Sequence, residues 1–354
     1  MRILINASNI NKGGGIQVAA SIINNLNFTE NNYLIVCSKE VSLNLKSTNI
    51  EVIVYNKKIN FRSILFFYDK ILTNIENKFK PDFILSIFGP IYWRSRAKSM
   101  VGYAKPQYVY SDSPFFKSLS FKDKFLLSLK KTIHLRDFRV NADFIWTETL
   151  DVKKRLEKLF DKEIIVGGNF ISPLIKKNEY KKSDISRQKI NILYLTADHP
   201  HKNIKILDKV SGILDERGIE HNFIITIPQQ PFKNIKNFNF IGKVNLNKIG
   251  ELYSNCDCTI STSLLECFSA NYIESMYFKK LLFVSDLNFA HTICGNSAIY
   301  FDPVNAIDIA EKIPLYFNNK LKSELIANGQ LLLPKYINSN ERNKILFDKI
   351  KSSI

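Results

Sequence analysis

The sequence predicts an α/β protein with two Rossmann-like domains, each built on a doubly wound parallel sheet. Short apolar strands alternate with helical segments along the chain, which is the pattern of a parallel sheet covered on both faces. The alternation stops at a polar, charged stretch at residues 172–189 and then restarts. A length of 354 residues and a hydrophobic content of 45% are typical of two globular domains.

The first half begins with a strand, a glycine-rich turn and a helix, in the stretches RILIN, SNINKGGG and IQVAASIINNL. We expect a helix over residues 61–78 and another in DVKKRLEKLF at 151–160. Further strands are predicted in five apolar stretches, which are YLIVCS, IEVIVYN, DFILSIF, MVGYA and ADFIWTET. This order of elements indicates one complete Rossmann-like domain.

The second half repeats the pattern with six strand-like stretches, which are INILYLTA, HNFIITI, FNFIG, DCTISTS, LLFVSD and AIYFD. Helices are predicted between them, and the chain closes with a helical segment. We therefore expect an N-terminal domain at 1–175, a C-terminal domain at 186–335, and a last helix at 336–354 that packs back toward the N-terminal domain. Ligands of open α/β sheets lie beyond the carboxyl ends of the strands, so two such sheets facing each other would form a cleft.

The apolar runs, the N-terminal residues and the cysteines indicate the cellular compartment in which the protein is expected. No apolar run approaches the roughly 18 residues of a membrane span. The N-terminal MRILINASNI enters a strand pattern directly, so we expect no signal peptide and a cytoplasmic protein. Five scattered cysteines fit buried thiols in a reducing compartment, and the Cys256/Cys258 spacing lacks the second pair of a zinc site.

The net charge of +17 is concentrated in the first half. Residues 1–182 hold 30 basic and 16 acidic side chains, a net charge of +14. A basic face attracts nucleic acid, anionic lipid or a phosphorylated substrate. The alternative is a lysine-rich solvated surface without a specific partner.

The stretch LLECFSANYIESM places Glu266 at the carboxyl end of a strand and Glu274 one turn into the following helix. Backbone amides at the helix start form an anion site suited to a diphosphate, at Phe268, Ser269, Ala270 and Asn271. Two acids on either side of such a site can accept hydrogen bonds from hydroxyl groups, as a nucleotide-sugar would offer. Alternatively, Glu266 is a capping acid and Glu274 a surface residue of the helix.

The order of residues between 252 and 311 resembles the donor domain of family 4 glycosyltransferases, which have the GT-B fold. Motif residues of that family occur here in register: Tyr253, Asp257, Ser263, Glu266, Phe268, Glu274, Met276, Val284, Ser285, Asp286, Phe301, Asp302 and Pro303. The resemblance covers roughly the last 170 residues well and the first half more loosely. It implies a GT-B enzyme in which Glu274 binds the ribose and Glu266 the donor sugar.

Further site residues are implied by the same resemblance. In the turn DHPHKN, Lys202 stands where the family has a lysine for the donor diphosphate, and Gly14 and Gly15 lie in the loop that closes over the donor. The arginine that many members carry near this lysine is replaced by Ala197, so the diphosphate loses one bidentate contact, for which His199 or His201 is expected to substitute partly. Lys105 occupies the place where many members have a histidine beside the reacting sugar, and His134 is interpreted as structural.

Two basic segments rich in phenylalanine, at 113–134 and 61–72, have the composition of helices that lie on a membrane surface. The alternative for each is an ordinary helix facing the core. Family members that modify lipid-linked acceptors dock on the inner leaflet through such faces. We therefore expect an anionic membrane surface as a partner and a peripheral location on the inner membrane.

Together these observations predict a retaining, metal-independent glycosyltransferase. It would move a sugar from a nucleotide-sugar to a polyprenyl-diphosphate-linked saccharide, in O-antigen or other surface polysaccharide synthesis, with no cofactor besides the donor and no nucleic-acid partner. One alternative is a nucleic-acid-binding protein, suggested by the charge but without a recognisable binding motif. The other is an enzyme of the same fold, such as a nucleotide-sugar epimerase or a phosphorylase.

Overall fold

A computed structural model describes residues 1–27, 31–46, 50–172, 175, 189–233 and 235–354. These residues form two compact units. The first unit contains Met1–Ser111, Leu119–Asn169 and Ser339–Ile354, and the second contains Asp112–Ser118 and Phe170–Asn338. Most of the predicted polar linker, at 173–174 and 176–188, lies outside the described residues.

The first unit is built on a seven-stranded parallel sheet with the order β3-β2-β1-β4-β5-β6-β7. The strands are β1 (Arg2–Ala7), β2 (Asn32–Cys37), β3 (Glu51–Val54), β4 (Phe83–Ser86), β5 (Lys98–Gly102), β6 (Phe144–Thr147) and β7 (Ile164–Val166). β1 lies between β2 and β4, so that Ile3 pairs with both Tyr33 and Phe83. The short strand β7 was not predicted from the sequence.

The second unit is built on a six-stranded parallel sheet with the order β10-β9-β8-β11-β12-β13. Its strands are β8 (Ile190–Tyr194), β9 (His221–Ile225), β10 (Phe238–Phe240), β11 (Cys258–Ser261), β12 (Leu281–Ser285) and β13 (Ile299–Phe301). Ile192 pairs with both Phe223 and Cys258, so β8 is the strand at which the direction of winding changes. The predicted pair of doubly wound parallel sheets is confirmed.

Helices cover the sheets. They are α1 (Gly14–Asn24), α2 (Lys39–Ser42), α3 (Phe61–Phe66), α4 (Lys70–Phe79), α5 (Phe121–Asn141), α6 (Leu150–Leu156), α7 (Ile206–Glu216), α8 (Leu246–Asn255), α9 (Ala270–Tyr277), α10 (Asn288–Cys294), α11 (Ala306–Lys312), α12 (Asn319–Leu332) and α13 (Asn340–Ser353). Because both faces of each sheet are covered, the central strands β1 and β11 are almost entirely buried.

The helix predicted over 61–78 is two helices, α3 and α4, so that prediction was wrong. Phe67 adopts a left-handed conformation with φ 50° and ends α3. The Asp69 carboxylate then caps α4 by accepting hydrogen bonds from the amides of Ile71 and Leu72, each at 3.0 Å. It also pairs with the buried Lys57 ammonium at 2.5 Å. A capped and ion-paired carboxylate favours a new helix start over a continuous helix.

The basic segment 113–134 is not one helix either. A 3₁₀ turn at Pro114–Ser118 belongs to the second unit, whereas α5 begins at Phe121 in the first. Ser120 separates them, because its hydroxyl accepts from the Asp123 amide at 3.1 Å and donates to the Asp123 carboxylate at 2.6 Å. Leu135 and Phe138 of α5 are buried, but its first turns are exposed, so the core-facing alternative holds only for the end of the helix.

The last helix, α13, belongs to the first unit. Arg342 is only 1% exposed, and its guanidinium donates to the Ser21 hydroxyl of α1 at 2.7 Å and to Asn169 at 3.2 Å. The Asn343 amide donates to the Ile22 carbonyl at 2.9 Å. Polar groups buried in this way stabilise one specific docking position, because any other would leave them unpaired.

Candidate functional site

The candidate site of the second unit lies on the loops that follow β8 and β11. These two strands are neighbours in the sheet, and the strand order reverses between them. In parallel α/β sheets this is the place where a crevice opens beyond the carboxyl ends of the strands. The loop after β8 carries Lys202, and the loop after β11 carries Glu266.

The structure brings Lys202 and Glu266 together as an ion pair, in which the Lys202 ammonium donates to Oε1 of Glu266. The two side chains are 17% and 10% exposed. Burial disfavours the charged lysine, but attraction to the Glu266 carboxylate outweighs it and raises the pKa of Lys202 above its ordinary value. The lysine is therefore a cation at neutral pH, in a setting that water screens only weakly.

The backbone at Lys202 is held by groups from both strand ends. Its carbonyl accepts hydrogen bonds from the Tyr194 hydroxyl and the Thr262 hydroxyl, each at 2.9 Å. Lys202 ends a 3₁₀ turn, and Asn203 follows in the left-handed conformation with φ 52°. Asparagine tolerates this conformation better than most residues, which explains an Asn after the lysine. The lysine thus lies in the turn before α7 and not in the helix itself.

The two histidines beside Lys202 stack on each other, with ring centroids 5.4 Å apart. Burial lowers the pKa of His201 to about 4, helped by Lys202 and opposed by the Glu266 carboxylate. His201 is therefore neutral at neutral pH. A neutral imidazole can still donate a hydrogen bond. Partial substitution for the missing arginine contact by His199 or His201 stays a prediction.

Helix α9 begins immediately after the Glu266 loop, with Ser269 at the N-cap position. The Ser269 hydroxyl donates to the Asn271 side chain instead of accepting from a backbone amide. The Asn271 amide in turn donates to the Leu195 carbonyl at 3.2 Å, which fixes the helix start to the end of β8. The first turn of α9, with the half-buried Phe268 and Ala270 beside it, retains the amide groups and positive dipole end that bind anions.

Glu274 is buried in α9 and only 4% exposed, so the alternative that it is a surface residue was wrong. The Tyr253 hydroxyl donates to its carboxylate at 3.0 Å. Burial raises the pKa of Glu274 to about 7, although the hydrogen bond from Tyr253 opposes the shift. Tyr253 is itself buried and stacks on Phe278 with ring centroids 4.7 Å apart. A buried carboxylate with a perturbed pKa is a common mark of a functional site.

In the first unit, the predicted glycines lie between β1 and α1. Gly13 has φ 73° and occupies the N-cap of α1, a conformation that favours glycine. A Cβ on Gly15 would lie 3.3 Å from the Ile10 side chain and 3.6 Å from Phe88. Close packing around this position therefore favours a residue without a side chain. Around Gly14, a Cβ would meet no described atom within 4 Å. The loop is therefore open to an approaching ligand at Gly14.

Lys105 follows β5 in the first unit, and its carbonyl accepts from the Tyr103 hydroxyl at 2.9 Å. Burial, and then the charges of Lys105 and Lys130, lower the pKa of His134 to about 4. The His134 ring is hydrogen-bonded to the Tyr108 hydroxyl at 2.8 Å. This packed, neutral histidine agrees with its structural interpretation. A catalytic role for Lys105 stays a prediction.

Sequence reasoning missed several polar groups that organise the second unit. Tyr253 was recognised as a motif residue, but its contact with Glu274 was not anticipated. Tyr194, Thr262 and Ser113 had no pattern that pointed to the site, because each acts through a hydroxyl that donates to a backbone carbonyl of a site loop. The five cysteines are all buried.

The described residues contain neither a candidate metal cluster nor a candidate membrane-spanning helix. Among these residues, no three His, Cys, Asp or Glu side chains are grouped in a way that could hold a metal ion. Within the same part of the chain, no helix has the length and apolar character needed to cross a membrane.

Two Rossmann-like parallel sheets, the first continuing the 3-2-1-4-5-6 order by one strand, define the GT-B fold. Residues 175–331, which lie within the second unit, match the family model described as Glycosyl transferases group 1. No curated protein sequence matches the chain.

Solved structures of the same fold include three similar glycosyltransferase or sugar-nucleotide-bound proteins. A glycosyltransferase from Rickettsia africae ESF-5 is 16% identical with a TM-score of 0.72, covering 99% of this chain and 98% of its own. Alr3699/HepE from Anabaena, in complex with UDP-glucose, is 15% identical with a TM-score of 0.72, covering 99% and 100%. WaaG, a glycosyltransferase involved in lipopolysaccharide biosynthesis, is 13% identical with a TM-score of 0.69, covering 97% and 98%.

Proposed function

We propose that this protein is a glycosyltransferase that uses a nucleotide-sugar donor bound to its second unit. The observation that carries the proposal is the burial of Glu274 in α9, which begins just after the loop where Glu266 pairs with the largely shielded cation of Lys202. Burying a carboxylate lowers the stability of a fold unless hydrogen bonds compensate for lost water. A carboxylate kept there, near a helix start suited to anions, supports a site for a ligand that carries both hydroxyls and phosphates.

The donor would be arranged along the stretch from Glu266 to Glu274. Its diphosphate would lie at the amides that begin α9, with Lys202 as the cation. Glu274 would accept hydrogen bonds from the ribose hydroxyls, and Glu266 from hydroxyls of the sugar. The UDP-glucose complex of the similar Anabaena protein and the family match of residues 175–331 both support a nucleotide-sugar as the donor.

Binding of a diphosphate would change the partner of Lys202. In the structure its ammonium is paired with Glu266. A diphosphate carries more negative charge than one carboxylate, so it would draw the lysine toward itself and leave Glu266 to accept from the sugar. Cleavage of the anomeric C–O bond builds oxocarbenium character, and Lys202 with the helix amides would stabilise the departing diphosphate. We propose a retaining reaction in which these groups, and no metal ion, balance that charge.

The acceptor and the membrane are assigned to the first unit. Phe121 and Phe125 at the start of α5 are 89% and 59% exposed, and Phe61 and Phe66 of α3 are 75% and 67% exposed. Lysines lie between the α5 phenylalanines, and this unit carries most of the positive charge. We call Phe121, Phe125 and the lysines between them the basic aromatic face. Such a face suits an anionic lipid surface.

This face supports a lipid-linked saccharide as the acceptor, on a polyprenyl diphosphate at the cytoplasmic side of the inner membrane. WaaG, which has the same fold, is involved in lipopolysaccharide biosynthesis. We propose a comparable place for this protein in surface polysaccharide synthesis, such as that of O-antigen. Gly14, Gly15 and Lys105 are proposed to contribute from the first unit, as the loop over the donor and as a group beside the reacting sugar.

The proposal is tested by a thermal-shift screen of UDP, GDP and dTDP and their sugars, followed by calorimetry on the best ligand. We expect one nucleoside diphosphate to raise the melting temperature of the wild type. Lys202→Ala should weaken that binding, whereas Lys205→Ala, an exposed lysine of the same turn, should not. Equal binding by both variants, or no binding of any of these nucleotides by the wild type, would contradict the donor site.

A further inference from the structure

A short segment, Asp112–Ser118, belongs to the second unit although its neighbours in the sequence belong to the first. We call this segment the strap. It consists of Asp112, Ser113 and the 3₁₀ turn Pro114–Ser118, and it contributes no strand to either sheet. Two of its contacts lie on the loops that carry Glu266 and Lys202.

The first contact is a hydrogen bond from the Ser113 hydroxyl to the Leu264 carbonyl at 2.6 Å. Both residues are buried, at 7% and 4% exposure. The Leu264 amide donates to the His201 carbonyl at 2.7 Å. Leu264 is therefore held through both of its backbone groups. It lies two residues before Glu266, and His201 lies directly before Lys202, so this one residue connects the strap to both loops.

The second contact is between aromatic rings. The Phe115 ring meets the His201 ring edge to face, with centroids 6.3 Å apart and an interplanar angle of 83°. The Phe115 amide also donates to the Ser113 hydroxyl at 3.2 Å, which orients that hydroxyl toward Leu264. Ser113 thus acts on the Glu266 loop and Phe115 on the Lys202 loop.

The Ser113 hydroxyl has two partners, since it accepts from the Phe115 amide within the strap and donates to the Leu264 carbonyl outside it. Alanine at this position would leave the buried Leu264 carbonyl without this donor, which is unfavourable. The bond from Ser113 is made to a loop and not to the sheet, so it stabilises the conformation of that loop more than the core.

We propose that the strap is a positioning element of the donor site, in which Ser113 and Phe115 hold the two loops so that Lys202 and Glu266 meet. The donor part of this inference rests on the proposed function, but the positioning part can be measured without a ligand. Ser113 and Phe115 act through Leu264 and His201, so they are positioning residues and not catalytic ones.

The first experiment measures amide hydrogen exchange in peptides covering residues 262–268 and 199–203, without nucleotide. Ser113→Ala should accelerate exchange in the 262–268 peptide by about fivefold, the effect of one hydrogen bond. Ser113→Thr, which keeps the hydroxyl, should behave like the wild type. Ser118→Ala is the matched control, because the Ser118 hydroxyl donates only within the strap, to the Phe115 carbonyl at 2.7 Å.

If Ser113→Ala fails to fold, a second pair of variants is measured by the same exchange experiment. Phe115→Leu should accelerate exchange in the 199–203 peptide, whereas Phe116→Leu should do so much less, because the ring that contacts His201 is that of Phe115. The strap inference is wrong if exchange in Ser113→Ala and Phe115→Leu equals that of the wild type. It is equally wrong if Ser118→Ala and Phe116→Leu change exchange by the same amount.

The second experiment measures calorimetric binding of whichever of UDP, GDP and dTDP the wild type binds best. Ser113→Ala should raise the dissociation constant by about fivefold, and Ser113→Thr should restore it. Faster loop exchange with unchanged nucleotide affinity would overturn the link to the donor. If the wild type binds none of the three, the proposed function fails, and the exchange measurement still decides whether the strap positions the loops.

Discussion

The two sheets share one winding order, but the loops at their carboxyl ends carry different chemistry. The central strand β8 is followed by a turn with an ion-paired cation, Lys202, whereas the loop after its counterpart β1 ends in three glycines, Gly13 to Gly15. In the candidate site of the second unit, Lys202 and Glu266 are paired and largely shielded from water. In the first unit the notable surface is the exposed basic aromatic face. A repeated fold therefore supplies the positions of the loops, and the residues of the loops decide what can be bound.

Lys202→Ala gives the largest expected effect, because it removes the cation that is paired with Glu266 at the candidate donor site. Transfer from the nucleotide-sugar should fall by at least about 100-fold, as when a group that stabilises transition-state charge is removed. The measurement is the initial rate of sugar transfer, on protein whose fold is checked by circular dichroism. Lys205→Ala should retain nearly the wild-type rate, and a normal rate in Lys202→Ala would remove the site from the second unit.

Glu274→Gln tests whether the Glu274 carboxyl is buried, because a buried carboxyl makes the stability of the protein depend on pH. The pKa of Glu274 is raised to about 7 by burial, from 4.5 in its ordinary range. Between those values the folded protein binds more protons than the unfolded chain, so this group's contribution to stability is lost as pH rises through 7. The contribution of Glu274 to the free energy of unfolding that is lost over this pH range is on the order of 3 kcal/mol.

The free energy of unfolding of the wild type and of Glu274→Gln is measured by urea unfolding at pH 5 and pH 8. The wild type should lose more free energy of unfolding over this interval than Glu274→Gln, which does not titrate. Other groups, such as Asp137 with a pKa raised to about 6, contribute equally to both proteins and cancel in the difference. The same loss in both would show that Glu274 is not buried as a titrating acid.

Serine in place of Phe121 and Phe125 tests the basic aromatic face of the first unit. Losing two exposed rings should weaken binding to vesicles containing anionic lipid by at least about tenfold, because each ring adds apolar area to the interface. Cosedimentation with such vesicles measures this. Leu43→Ser removes an equally exposed apolar side chain, 75% exposed, from α2's C-terminal cap and should have little effect. An equal loss of vesicle binding in the Phe121/Phe125 variant and in Leu43→Ser would indicate nonspecific adsorption.

Gly14→Ala and Gly15→Ala give the smallest expected effects and separate packing from function in the glycine loop. Alanine at Gly15 meets Ile10 and should destabilise the fold slightly, whereas alanine at Gly14 enters open space at a helix start. There it should raise stability by up to about 1 kcal/mol. If Gly14→Ala nevertheless lowers transfer, the loop contributes to ligand binding, and an unchanged rate would remove Gly14 from the proposed site.

Much of the fold followed from periodicity. The strands DFILSIF and DCTISTS were predictable because apolar runs bounded by turn residues are a local signal. The break between α3 and α4 was not, since it depends on Asp69 meeting Lys57, and the short strand β7 has too few residues to show a pattern. The site residues Glu266 and Glu274 could be named from their order in the motif, but their burial could not.

The sequence by itself therefore determined the order of strands and helices, the two-sheet architecture and the stretch that carries the candidate donor site. Only the tertiary structure decided which polar groups meet. Lys202 and Glu266 are 64 residues apart, and Ser113 and Leu264 are 151 apart. Such pairs leave no local pattern, because their hydrogen bonds form only after the sheet has brought the ends of distant strands together.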